Sequence, residues 1–128
     1  MNKKVSVLIL PLLMAACAVS ARAHFHNAEM ALMAKDYTTA VSEYDEVLKQ
    51  QPDSVTARFG KAKALYGAKR WAEAKTLFEE FIAKTDNDQH EYRNERRDAA
   101  FYRDRCTQEM GGTVAQDPTK IPPPPMGE

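Results

Sequence analysis

The chain has 128 residues, with 18 lysines and arginines against 18 aspartates and glutamates, which leaves room for one small domain once the two ends are set aside. The charge is uneven: the first 23 residues hold Lys3, Lys4 and Arg22 and no acid, so the remainder is acidic by three charges. That argues against a nucleic-acid partner, whose binders show a basic excess.

Residues 1–23 read as an export signal. Lys3 and Lys4 give the charged start, VSVLILPLLMAA the apolar run, and Ala21, Arg22 and Ala23 a small-x-small cleavage site. The run is short for a bilayer span and Pro11 interrupts it. Release after Ala23 is the expected outcome and places the protein in the periplasm or outside the cell. The competing site is Met14-Ala15-Ala16-Cys17, which resembles the lipobox of bacterial lipoproteins; Cys17 would then be lipidated and the protein membrane-anchored. Both routes leave Cys106 without a partner in the chain, and burial in a helix is its expected state.

His24–Ala34 should form a first helix, with Phe25, Ala28, Ala31 and Leu32 at helical spacing. Lys35 and Asp36 turn the chain into a return helix, Tyr37–Gln50, whose stripe of Ala40, Val41, Tyr44, Val47 and Leu48 must be covered. Pro52 cannot continue a helix and Ser54 can cap the next one. Val55–Ala68 and Trp71–Lys84 then repeat the hairpin. Asp36 falls on Arg70, Tyr37 on Trp71, Ala40 on Ala74, Tyr44 on Phe78, Val47 on Phe81 and Leu48 on Ile82, always 34 residues apart.

With that period and that aromatic, small, aromatic, apolar pattern, the stretch from Ala21 to Asp88 resembles the tetratricopeptide repeat family. His24 and Arg58 stand where that family usually has a large aromatic. The resemblance implies an all-α fold, with two helical hairpins and a capping helix in a domain spanning residues 24–110. It also implies protein recognition, through a concave groove lined by the first helix of each pair.

Gln89–Met110 reads as one long helix without proline or glycine, and covers the open apolar end of the array. Gly60 and Gly67 inside the third helix imply close packing, or else space left for a ligand backbone. Residues 111–128 lose periodicity and end in DPTKIPPPPMGE, a proline-rich tail expected to be extended and without a core.

No phosphate-cradling glycine loop, CxxC, HExxH or G-x-S-x-G occurs, so neither enzyme activity nor a cofactor is expected. A chain beginning His24-Phe25-His26 could wrap Cu(II) or Ni(II) in square-planar nitrogen, but both histidines more simply begin a helix. Aligned on the family, the groove would present Phe25, Glu29, Leu32 and Met33, then Phe59, Lys63 and Tyr66. If the long helix continues the array with a three-residue shift, Arg93, Arg96, Arg97 and Arg103 follow. Such a groove suits a peptide with an apolar anchor and an acidic segment, because guanidinium groups grip carboxylates in bidentate fashion. The expected function is therefore an adaptor of the bacterial envelope that binds a protein or peptide. The alternative is a structural or assembly lipoprotein that associates with its own copies, two repeats being few for independent stability.

Overall fold

The computed structural model describes residues 19–88 and 90–112. The apolar run of the leader, Cys17 and the proline-rich tail lie outside them. Five helices follow in order, α1 (Ala21–Met33), α2 (Tyr37–Gln50), α3 (Val55–Gly67), α4 (Trp71–Lys84) and α5 (Arg93–Glu109), with a short 3-10 turn at Asp86–Asp88. The described residues hold no strand. Each helix packs against the next, and α3 also touches α1 and α5.

The 34-residue period becomes a buried seam. Ala28 and Ala62, Ala40 and Ala74, Tyr44 and Phe78, Val47 and Phe81 are all at most 1% exposed. The alanines sit where antiparallel helices joined by short turns cross most closely, and the aromatics fill the volume between crossings. Ala99 and Cys106 of α5 are also fully buried and close the open end of the second hairpin.

The turns inside the two hairpins are copies of each other. Lys35 and Lys69 both adopt left-handed φ, 59° and 61°. In the first turn Lys35 N donates to Leu32 O and Asp36 N to Ala31 O; in the second Lys69 N donates to Tyr66 O and Arg70 N to Leu65 O. These paired bonds satisfy the last helical carbonyls and reverse the chain. Asp36 caps α2 by accepting from Thr39 N, and Ser54 caps α3, as the sequence anticipates, by accepting from Ala57 N.

Two helix starts differ from expectation. The first helix begins at Ala21 rather than His24: Ser20 Oγ accepts from Ala23 N at 3.3 Å, and Ala21 is buried in the core. The last helix begins at Arg93 rather than Gln89. The chain tightens into the 3-10 turn, Glu91 N and Tyr92 N both donate to Asp88 O, and the Tyr92 ring packs edge-on against Phe81 at 6.0 Å, which fixes the angle at which α5 starts.

The glycines of α3 serve packing. A Cβ on Gly60 would overlap the Tyr44 ring, and one on Gly67 would overlap the Tyr37 ring. Both spaces belong to tyrosines of α2, so neither is left for a ligand.

Candidate functional site

A groove of about 690 Å³ opens where the carboxyl ends of α1 and α3 meet α5. Glu29, Leu32 and Met33 of α1 line one wall, with Lys35 and Tyr37 across the turn; Lys63, Tyr66 and Gly67 of α3 form the floor, and Phe101, Tyr102 and Arg105 of α5 the opposite wall. The floor is rigid because its rings are coupled to the core. Tyr66 packs against Tyr102 at 4.8 Å and Trp71 at 5.1 Å, while Tyr102 stacks on the buried Phe78 at 5.5 Å. Burial raises the Tyr102 phenol above its ordinary pKa.

Three cations stand among these apolar surfaces, Lys35, Lys63 and Arg105, against one acid, Glu29. Glu29 already accepts a hydrogen bond from the Tyr44 hydroxyl. Burial, and then the same bond, push the Tyr44 phenol far above its ordinary value. Lys63 Nζ lies 5.2 Å from the centre of the Phe59 ring, a cation–π distance that directs the ammonium along α3.

Among the residues expected to line the groove, Glu29, Leu32, Met33, Lys63 and Tyr66 do so. Phe25 and Phe59 do not. Phe25 packs edge-on against Tyr44 at 5.8 Å, and Phe59 lies against Phe78 and Phe81 at 6.0 and 4.9 Å, so both are core supports.

None of the four expected arginines lines it. Arg96 turns inward and donates to Ile82 O at 2.5 Å, Thr85 Oγ1 at 3.0 Å and Asp86 Oδ1 at 3.3 Å, closing the end of α4. Arg93 lies 3.2 Å from His90 Nδ1, Arg97 is exposed beside Asp98, and Arg103 is held by its neighbour Asp104. The cause is the rotation of α5. Ala99 and Cys106 are fully buried and Tyr102 stacks on Phe78 of α4, while Phe101 and Arg105, four residues apart on α5, line the groove with Tyr102. Their i, i+4 pairing of an aromatic with an arginine does not set them apart in the sequence, since Tyr92 and Arg96 have the same spacing and Arg96 turns inward. Lys35 could have been found through its turn, since a repeated left-handed cap fixes where its side chain leaves.

His24 and His26 are not brought to a common site. His24 Nδ1 lies 2.7 Å from Glu43 Oε2 in the first turns of α1, while His26 is exposed. Wrapping a metal with the amide nitrogens of residues 24–26 would require that turn to unwind. Among the described residues no cluster of three or more His, Cys, Asp or Glu side chains could hold a metal. His24 and Arg58, at equivalent places in the two repeats, each reach an acid of the return helix, Glu43 and Glu80, the latter at 3.1 Å. Polar pairs thus replace the usual aromatic. No described helix is long and apolar enough to cross a membrane.

This tandem of hairpins with a groove along the first helices defines a helical-repeat module. The tetratricopeptide repeat family model matches residues 31–94, half of the chain, and the chain belongs to that family. No curated protein and no solved structure matches it. Membership gives the chain a capacity for protein–protein interaction.

Proposed function

We propose that the chain is a recognition module of the bacterial envelope that binds an extended peptide segment of a partner protein in the groove between α1, α3 and α5. The observation that carries this reading is the composition of the groove: Tyr66 of its floor and Phe101 and Tyr102 of its α5 wall give an aromatic lining, among which stand Lys35, Lys63 and Arg105. Apolar side chains of the peptide would bury against the floor, and carboxylates would meet the three cations; charge-assisted bonds to carboxylate are the stronger class. An acidic segment therefore remains the preferred partner, with Lys35, Lys63 and Arg105 in the place of the arginines first expected. Placement in the envelope rests on the leader sequence.

Photo-crosslinking tests the reading. A photoreactive phenylalanine at Phe101 should capture a partner from envelope extracts, and one at Ser42, on the exposed side of α2, should not. Arg105→Glu should reduce that capture tenfold or more at low salt, and Arg97→Glu should leave it within twofold. Equal capture from both positions would rule the groove out. Self-association is the second reading, favoured by Met30 and Met33, which are 51% and 71% exposed on the terminal helix. It requires a concentration-dependent mass in sedimentation that Met30→Lys abolishes.

A further inference from the structure

Two opposite charges of the groove come from equivalent places in the two repeats. Glu29 of α1 and Lys63 of α3 stand 34 residues apart in the chain, and both line the groove. Each is directed by a neighbour that carries no charge. Glu29 accepts a hydrogen bond from the hydroxyl of Tyr44, which is fully buried. The second repeat has Phe78 in place of Tyr44 and no hydroxyl to offer; there Lys63 Nζ lies 5.2 Å from the centre of the Phe59 ring. Among the described residues neither Glu29 nor Lys63 forms an ion pair, whereas Arg105 lies 3.7 Å from Glu109. A phenol and a phenyl ring orient these two side chains and leave their charges for a ligand to meet.

The helices set the order in which those charges occur. α3 touches both α1 and α5, which puts Lys63 between Glu29 and Arg105, while Lys35 lies beyond the end of α1 in the exposed turn. Helices in contact run about 8–10 Å apart, and an extended chain covers that distance in about three residues. Crossing from α1 to α5, a peptide therefore meets a negative group first and positive groups after it.

We propose that the groove selects a peptide of mixed charge, in which a lysine or arginine meets Glu29 and acidic residues about three and six places along the chain meet Lys63 and Arg105, with apolar residues between them on Tyr66, Phe101 and Tyr102. Glu29 is then a specificity determinant. It disfavours a wholly acidic segment, which the cations alone would accept, because a carboxylate brought against it is repelled. This narrows the peptide site proposed above and depends on it.

The test uses labelled peptides of defined sequence, with lysine, glutamate and glutamate at every third place and phenylalanine and alanine between them, made in both chain directions. Each has an analogue with glutamate in place of the lysine. In fluorescence anisotropy at low salt, the better-binding lysine peptide should exceed its analogue by about fivefold or more in affinity. Glu29→Lys should reverse that preference, and Glu29→Gln, which keeps an oxygen for the Tyr44 hydroxyl, should reduce it to within about twofold. A reversed preference is a result that loss of folding could not produce. If the parent protein binds the analogues as well as the lysine peptides, or if the preference survives Glu29→Lys, the proposal is overturned and the groove still stands as a peptide site. Binding of none of these peptides overturns both.

Discussion

The Tyr44 ring occupies the space beside Gly60 in which a Cβ would have to sit. Tyr44 is fully buried, its hydroxyl bonded to Glu29 and its face met edge-on by Phe25, so it has nowhere to retreat. Alanine is favoured over glycine by about 1 kcal/mol in a helix interior, yet overpacking a closed core costs about 1–3 kcal/mol. Gly60→Ala should therefore destabilise the domain in urea melts in spite of its better helix propensity. A gain in stability would mean that α2 and α3 separate more readily than this contact allows.

Arg96 and Arg97 are neighbours in sequence with opposite duties. Arg96 joins the end of α4 to α5 through Ile82 O and Thr85 Oγ1, and Thr85, itself buried, also donates to Phe81 O. Hydrogen bonds to a charged group contribute about 1.5–3 kcal/mol, so Arg96→Met should lower stability by about that amount. Arg97→Met should stay within about 0.5 kcal/mol of the parent. Thermal or urea unfolding of the two variants side by side checks the contrast; equal effects would contradict the inward placement of Arg96.

Trp71 takes an intermediate course. The 34-residue alignment puts it on Tyr37 and predicts an indole held between the two helices of the second hairpin; it packs on Tyr66 of α3 at 5.1 Å from the first turn of α4, but is only half-buried there. Truncating a buried tryptophan costs about 3–5 kcal/mol; roughly half of that is expected for Trp71→Ala. Because Tyr66 lines the groove, the fluorescence of this single tryptophan should shift when a peptide binds. A saturating ligand that leaves the emission unchanged would place binding elsewhere.

The seam of small and aromatic residues was legible because it depends only on period: Ala28, Ala40, Tyr44 and their counterparts 34 residues on must face inward wherever two equal hairpins stack. The cap at Ser54 was legible for the same local reason, whereas Asp36, read only as a turn residue, caps α2 as well. The groove was less so. Its α1 and α3 walls repeat in register, but the α5 wall depends on how one helix without a return partner rotates onto α4, and no repeat fixes that angle. The rotation sends Arg96 inward and brings Phe101 and Arg105 to the groove. Phe25 and Phe59 were misplaced for a related reason: on a helix covered by two neighbours, a residue at the edge of the groove face can turn either way, and the aromatic rings beside them decide it.

Alkaline pH probes the buried hydroxyls and the thiol together. Burial raises Cys106 above its ordinary value of 9.0 and Tyr44 and Tyr102 above 10.0. In each case the folded state holds its proton at pH values where the unfolded chain has released it. The unfolded state then binds fewer protons than the native one, so stability falls as pH rises. The contribution is fully present below about pH 9 and is lost through the window above it, each group adding up to about 1.4 kcal/mol per pH unit. Urea midpoints should hold steady from pH 7 to about 8.5 and then decline, and Cys106→Ala should make the first part of the decline shallower. The same burial should keep Cys106 unreactive toward iodoacetamide at pH 8 until urea unfolds the domain. Rapid alkylation of the native protein, or midpoints unchanged up to pH 10.5, would mean that water reaches α5 from the side sealed here by α4.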